Sequence, residues 1–198
     1  MSVMVTSSTA LTGRSRRTRL FTVEEFYRLA ETGFFGPNHQ RLELLEGEIL
    51  EPMPIGPAHA AAVTRIHFTF TQRLGESAIV RSQNPIRLSG VSEPLPDITV
   101  LKPHADFYRA AHPRPDDVLL ILEVADSSLE FDLGAKARAY AEAGIVEYWV
   151  VDLAGGRLRI FRLPDKGEFT EILILQRGQS VTARAIRGFE VGVEELLG

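Results

Sequence analysis

Two acidic residues in otherwise apolar segments are the residues of this 198-residue chain best suited to do chemistry. Within the run Val118–Ala125 every side chain except Glu123 is apolar, and Asp97 directly precedes a second apolar segment, Ile98–Leu101. A buried carboxylate is costly unless hydrogen bonds, an opposite charge or a metal ion compensate it. The two positions therefore indicate either a functional site or a structural ion pair.

If the two segments are neighbouring strands, their carboxylates could share a cation. Two carboxylates a few ångströms apart repel one another unless a metal ion or a proton lies between them. Mg²⁺ prefers oxygen ligands, keeps several waters and pairs with substrate phosphate, so it is the natural occupant of a site made by Asp97 and Glu123. The alternative is that Asp97 caps a turn and Glu123 meets an arginine, because structural ion pairs also perturb carboxylates.

The helix predicted directly after the Glu123 segment carries three more polar residues, spaced four apart: Asp132, Lys136 and Tyr140. A short loop would return this helix to the sheet. The Lys136 amine could then reach a metal-bound water or a scissile phosphate, where a cation stabilises developing negative charge. The spacing also fits an ordinary surface ion pair between Asp132 and Lys136.

The elements that must position these residues follow from capping patterns and hydrophobic periodicity. Helices are predicted over residues 22–32, 59–74 and 133–143, and a β-hairpin over residues 41–46 and 48–50. Further strands are predicted over residues 79–82, 86–88, 97–101, 118–125, 148–153, 158–163 and 171–175. This order favours an α/β fold with a mixed β-sheet flanked by α-helices and extended by C-terminal β-hairpin strands, rather than a barrel or a bundle.

Charge and composition limit the classes of function. The net charge is −4, but residues 1–20 hold four of the 22 basic residues and none of the 26 acidic ones. The remainder therefore has 18 basic against 26 acidic residues, a net charge of −8, and any nucleic-acid binding must depend on a local site. We predict a flexible basic arm over residues 1–20, either a solvated tail or a phosphate-contacting segment, and a single domain over residues 21–198.

Two absences exclude further classes. The chain has no cysteine, which rules out disulfides, thiolate metal sites and a cysteine nucleophile. The leader lacks the apolar stretch of a secretory signal, so a cytoplasmic location without a membrane partner is expected.

Several segments carry a joint resemblance from about Phe21 onwards: Pro96-Asp97-Ile98, Leu122-Glu123-Val124, the Asp132, Lys136 and Tyr140 series, residues 144–152, residues 42–49 and the helix entry at Pro57 and His59. Together they resemble one known family, the Uma-type restriction endonucleases of the PD-(D/E)XK nuclease superfamily. This resemblance implies a restriction-endonuclease-like fold and a divalent-metal phosphodiesterase activity.

The resemblance also implies roles for individual residues. Asp97 and Glu123 correspond to the metal-binding carboxylates and the backbone carbonyl of Val124 to a further ligand, for Mg²⁺ with Mn²⁺ able to substitute. Ala125 stands where the motif has its lysine, so that role passes to Lys136 on the following helix. Glu43 corresponds to an acidic residue of the first strand, either an outer metal ligand or an ordinary exposed strand residue; Tyr140 and Asp132 are accessory.

The expected function is therefore hydrolysis of phosphodiester bonds in nucleic acid, with DNA as the expected substrate. An edge strand in the C-terminal hairpin could pair two copies into a homodimer. The main alternative is a non-catalytic module that keeps the fold for binding nucleic acid or protein. A glycosidase function is supported only by the presence of two carboxylates that could act as a pair. Trp149 is expected to pack in the core against the helix over residues 133–143, or else to stack on a base.

Overall fold

The two candidate carboxylates lie on a six-stranded sheet in the computed structural model, which describes residues 18–36 and 41–198. The strands are β1 (Glu43–Leu45), β2 (Glu48–Leu50), β3 (Ile79–Ser82), β4 (Ile98–Leu101), β5 (Val118–Ala125), β6 (Glu147–Asp152), β7 (Arg157–Asp165), β8 (Glu168–Gln176), β9 (Ser180–Thr182) and β10 (Glu190–Gly192). The α-helices are α1 (Val23–Glu31), α2 (Pro57–Leu74), α3 (Leu129–Phe131), α4 (Ala137–Glu142) and α5 (Val193–Leu197).

The sheet is mixed, with strand order β3-β4-β5-β6-β7-β8. Only β5 and β6 pair in parallel among these neighbours, and the other pairs are antiparallel. The predicted mixed sheet with flanking helices is confirmed, and β7 with β8 forms the predicted C-terminal hairpin. The hairpin β1–β2 and the pair β9–β10 form two small separate sheets.

Helices cover both faces of β5, which explains its nearly continuous apolar run. Leu120, Leu122 and Val124 belong to a core cluster that includes residues of α2 and α5. Ile121 and Ala125 belong to a second cluster on the other face, together with residues of α4. Since side chains alternate along a strand, Glu123 shares the face of Ile121 and is directed toward the α3–α4 segment.

The N-terminal helix and the first hairpin pack together beside the sheet. Thr22 caps α1 in a capping box with Glu25, as predicted. Val23 and Phe26 of α1 pack against Leu44 of β1 in a separate small cluster. Since side chains alternate along a strand, Glu43 is directed away from this cluster, and it is buried as well.

Two sequence predictions of local structure are wrong, and three short elements were missed. Residues 86–88 are not a strand: their amides bond to the carbonyls of three separate loop residues, Pro94, Pro113 and Ser92. The third helix begins at Leu129 rather than at residue 133 and contains a π-helical turn, Asp132–Lys136. The elements β9, β10 and α5 were not predicted.

The predicted packing partner of Trp149 is also wrong. Parallel pairing of β5 with β6 places Trp149 opposite Leu122, so its indole lies in the α2 and α5 cluster, and Tyr148 contacts α4 instead. Trp149 is fully buried and donates a hydrogen bond to Glu147. It is therefore a core residue, and neither a base nor a sugar can stack on it.

The predicted basic arm falls largely outside the described residues, because residues 1–17 lie beyond them, and it stays a prediction. Arg19 forms an ion pair with Glu25 of α1, and Phe21 bonds to Gly47 in the first hairpin. The described part of the chain contains no helix long and apolar enough to cross a membrane. The cytoplasmic location and the division into arm and domain stay predictions.

Candidate active site

Antiparallel pairing of β4 and β5 brings the two carboxylates together. Ile98 lies opposite Leu122, so Asp97 at the start of β4 lies beside Glu123 near the end of β5. The backbone N–H of Asp97 donates to Glu123 Oε2 at 3.2 Å, and that of Val124 donates to Asp97 Oδ2 at 2.9 Å. Both side chains are buried. These two hydrogen bonds from the backbone fix the positions of both carboxylates relative to each other.

Lys136 compensates the charge of Glu123. Its Nζ donates to Glu123 Oε1 at 3.0 Å and lies 3.7 Å from Glu43 Oε2. Tyr140 Oη donates to the same Glu123 oxygen at 2.8 Å. The alternative in which Glu123 meets an arginine is therefore wrong, and so is the surface ion pair, because Lys136 and Asp132 are both buried.

A π-helical turn positions Lys136 next to Glu123. Such a turn holds one extra residue, which rotates the side chains after it by about 100° relative to a continuous α-helix. The turn Asp132–Lys136 ends on the lysine, and α4 continues from it to Tyr140. Lys136 and Tyr140 both reach Glu123 as a result. π-helical turns are frequent at functional sites.

Glu43 and Asp132 add two buried carboxylates to the surroundings of Lys136. Glu43 Oε2 accepts the backbone N–H of Leu95 at 3.0 Å, and the residue is 6% exposed, so its alternative as an exposed strand residue is wrong. Asp132 Oδ2 accepts a hydrogen bond from Ser128 at 2.5 Å. Neither carboxylate bonds to Glu123, so both act on the site mainly through their charge.

Two side chains that the sequence analysis did not assign hold Asp97. His59 Nε2 lies 3.1 Å from Asp97 Oδ1, and Gln83 Nε2 donates to the same oxygen at 3.3 Å. His59 lies in the first turn of α2, two residues after Pro57. This position at the start of a helix is the only feature of the sequence that singles it out. Gln83 follows β3 with a positive φ of 53°, and nothing in the sequence marks it.

Burial and neighbouring charges shift the pKa values of the groups in this site. Burial raises the pKa of Glu123 to about 8 although Lys136 opposes the shift, and the neighbouring Asp97 raises it further. Burial alone would raise the pKa of Asp97, but the hydrogen bond and charge of His59 hold it below its usual value. Burial alone would lower the pKa of Lys136, but Glu123 and Glu43 raise it, so the amine stays protonated.

The donor set of this site fits Mg²⁺. Asp97 Oδ2 and Glu123 Oε2 each accept one backbone N–H, which leaves each oxygen a second lone pair for a cation. Within residues 18–36 and 41–198, no three His, Cys, Asp or Glu side chains form a ready metal cage. Mg²⁺ does not need one, because it binds through one or two carboxylates and keeps its waters. The predicted carbonyl ligand at Val124 stays a prediction.

A cavity of about 630 Å³ opens onto these groups. Its walls include Asp97, Glu123, Lys136, Glu43 and Asp132 from the buried cluster. The more exposed Asp126 also lines it, near Gly56 at the start of α2. A phosphate-bearing ligand in the cavity would therefore face acidic groups, which a bound cation would offset.

Without metal, the free energy of unfolding should fall as the pH rises from about 5 to about 8. The pKa of Glu123 is 4.5 in the unfolded chain and about 8 in the fold, so the folded state binds more protons in this range and deprotonation destabilises it. Chemical denaturation in EDTA at several pH values measures the slope. Glu123→Gln should flatten it, and the exposed control Glu76→Gln should not; an unchanged slope in Glu123→Gln would contradict the assignment.

Comparisons with known proteins agree with this fold. The model of the Uma2 family, described as "Putative restriction endonuclease", matches residues 23–194. A solved structure of a putative nuclease belonging to DUF820, from Anabaena variabilis, has a TM-score of 0.68 and 16% sequence identity. The match covers 89% of this chain and 97% of that one, and at this identity it shows the shared fold. No curated protein matches.

Proposed function

Because this chain belongs to the Uma2 restriction endonuclease family, we propose that it is a Mg²⁺-dependent endonuclease that hydrolyses phosphodiester bonds in DNA. One observation carries the proposal: two buried carboxylates from adjacent strands meet at the wall of a cavity with a lysine amine 3.0 Å from one of them. The residues are Asp97, Glu123 and Lys136. Mn²⁺ would substitute for Mg²⁺, since it also takes oxygen ligands.

Asp97 and Glu123 would hold the cation, with the Val124 carbonyl as a further ligand. A bound Mg²⁺ supplies Lewis-acid polarisation of a phosphate oxygen and a more acidic water. His59 and Gln83 fix Asp97 through its other oxygen, and Tyr140 fixes Glu123. The carboxylates are thus pre-positioned, which reduces the reorganisation that substrate binding would otherwise require.

Lys136 would act on the anionic oxygens of the reaction. An ammonium group has three N–H donors, and the hydrogen bond to Glu123 uses one of them, whereas Glu43 lies at ion-pair distance. Because Lys136 also lines the cavity, another of its donors can meet a phosphate oxygen or orient an attacking water. The charges around the amine keep it protonated, so it would serve as a cation and hydrogen-bond donor rather than as a base.

The homodimer belongs to this proposal as well. Strand β8 is an edge of the six-stranded sheet, and its Ile172 and Ile174 are at least half exposed. An open apolar edge strand can pair with a second copy. The feature supports the expectation of a dimer that presents two sites to one duplex.

A plasmid assay tests the proposal directly. Supercoiled DNA incubated with the chain should become nicked or linear with Mg²⁺ or Mn²⁺ and should stay intact with EDTA. Mg²⁺ should also raise the thermal midpoint of the protein, because a ligand bound only to the folded state stabilises it. DNA binding without cleavage under every metal condition would favour the non-catalytic module, and cleavage in EDTA would contradict the metal dependence.

A further inference from the structure

A second cavity, of about 390 Å³, has walls that are largely basic and aromatic. We call it the basic pocket. Its side chains include Arg87, Arg109, Arg114, His112, Tyr27 and Tyr108. The concentration of positive charge is unusual for this chain, whose residues 21–198 carry a net charge of −8.

The basic pocket lies on the same face of the sheet as Glu123. Ile79 of β3 and Tyr108 of the pocket wall both pack in the cluster that holds Ile121. Arg81, two residues after Ile79, shares the face of Ile79 because side chains alternate along a strand. The pocket therefore borders the β3 edge of the face that carries the candidate active site.

Arg81 does not line the pocket, but its charge acts on Tyr108 and His112 of the pocket wall. Strand pairing sets its distance from the candidate active site. Arg81 pairs with Thr99 on β4, and Thr99 pairs with Ile121 on β5. Glu123 is two residues farther along β5, so ordinary strand spacings put the Cα atoms of Arg81 and Glu123 roughly 12 Å apart. One nucleic-acid strand can span that distance.

A buried carboxylate holds part of the pocket wall in place. Glu93 is 3% exposed; it accepts the Nε–H of Arg87 on one oxygen and the hydroxyl of Tyr27 on the other. Tyr27 Oη also lies 3.1 Å from His112 Nε2. Arg87, Tyr27 and His112 are thereby fixed before any ligand arrives, and such preorganisation lowers the entropy cost of binding.

Two arginines of the pocket, and Arg81 beside it, lack an acidic partner in the described part of the chain. Arg87 pairs with Glu93 and Glu24, but within the described ranges Arg81, Arg109 and Arg114 form no ion pair with a carboxylate. Among the residues that the structure describes, the buried Nη1 of Arg81 has no hydrogen-bond partner.

The acidic groups near the pocket are engaged elsewhere. Asp106 bonds to His104 and to backbone amides, and Asp117 accepts the backbone N–H of Arg114. They therefore leave the guanidinium groups of Arg109 and Arg114 available to an anion in the pocket.

We propose that the basic pocket binds a backbone phosphate of the nucleic acid next to the scissile one. Guanidinium groups match the geometry of phosphate oxygens, and a fixed arginine with unpaired neighbours suits a dianion or a diester anion. The inference rests on the proposed function, because it assigns the pocket to the same substrate. It also explains how an acidic chain can hold a polyanion: the acidic site meets the cation, and the basic pocket meets the phosphate.

A binding assay without metal tests the pocket separately from cleavage. Anisotropy of a short labelled DNA duplex in EDTA gives the dissociation constant at several salt concentrations. The double variant Arg109→Gln, Arg114→Gln should bind about tenfold more weakly, and its salt slope should fall by about 1, as expected when one phosphate is no longer neutralised. The control Arg177→Gln, Arg187→Gln removes the same charge at exposed positions near the C-terminus and should change neither value.

The outcomes separate the two proposals. Loss of binding in the pocket variant, with no cleavage by the wild type in Mg²⁺, would keep the phosphate site and overturn the nuclease. Wild-type cleavage with unchanged DNA binding in the pocket variant would keep the nuclease and overturn the phosphate site. Equal weakening by the control variant would also overturn it, because the effect would then be one of overall charge.

A titration with inorganic phosphate distinguishes backbone phosphate from free phosphate. Competition with the duplex should be weak, since a single anion lacks the other contacts of the strand. If inorganic phosphate instead displaces the duplex at low concentration, or binds tightly without affecting it, the pocket serves a free phosphate and the backbone assignment is wrong.

Discussion

Replacing Glu123 by glutamine is expected to lower DNA cleavage about 1,000-fold, the loss typical of removing a group that stabilises charge in a reaction. Glutamine keeps the size of the side chain and removes its charge, so the site would lose half of its carboxylate pair. Either orientation of the new amide leaves one contact unfavourable, because the carboxylate accepts from Lys136 and Tyr140 on one oxygen and from Asp97 on the other.

Plasmid nicking at saturating Mg²⁺ measures this effect, and circular dichroism checks the fold. Asp97→Asn should cause a loss of similar size, because Asp97 supplies the other carboxylate. Glu76→Gln removes one negative charge at an exposed position and should leave cleavage unchanged. Cleavage near the wild-type rate in both site variants would show that Asp97 and Glu123 do not form the active site, even if the protein is a nuclease.

Replacing Lys136 by methionine is expected to affect both catalysis and stability. Cleavage should fall at least about 100-fold, because a cation aimed at developing negative charge is lost. The free energy of unfolding should also fall by about 3 kcal/mol near pH 8, since removing one partner of a buried ion pair leaves the other charge uncompensated. Glu123 would then face Glu43 and Asp97 without an intervening cation.

A double variant separates the two effects. Glu123→Gln combined with Lys136→Met removes both charges, so it should recover most of the stability that Lys136→Met loses and should still fail to cleave DNA. Urea unfolding of the wild type, both single variants and the double variant gives the coupling energy. If the stability lost in the double variant equals the sum of the losses in Glu123→Gln and Lys136→Met, the ion pair between Glu123 and Lys136 does not stabilise the fold.

The sequence analysis was most successful where local rules apply. The capping box at Thr22, the Gly75 end of α2 and the apolar run of β5 were all predicted from adjacent residues, and each depends only on local hydrogen bonds or alternation. The acidic exceptions at Asp97 and Glu123 were found in the same way, because a carboxylate in an apolar strand violates a local pattern.

The predictions failed where a contact depends on distant pairing. The face taken by Trp149 follows from its register against Leu122, which lies 27 positions earlier in the chain. The loop over residues 86–88 has strand-like residues, but its amides bond to two different loop segments instead of one neighbouring strand. His59 meets Asp97 only because α2 packs on the sheet at that point. None of these long-range contacts is visible as a periodic pattern in the amino-acid sequence.

The residue types alone identified a fold of mixed sheet and helices and two carboxylates that needed compensation. The tertiary structure decided what compensates them: a lysine carried by a π-helical turn, a histidine from α2, and backbone amides from the opposite strand. It alone also assembled the basic pocket, whose arginines come from two separate loops. Burial and alternation are properties of neighbouring residues, whereas charge compensation depends on distances that exist only after the strands have paired and the helices have packed.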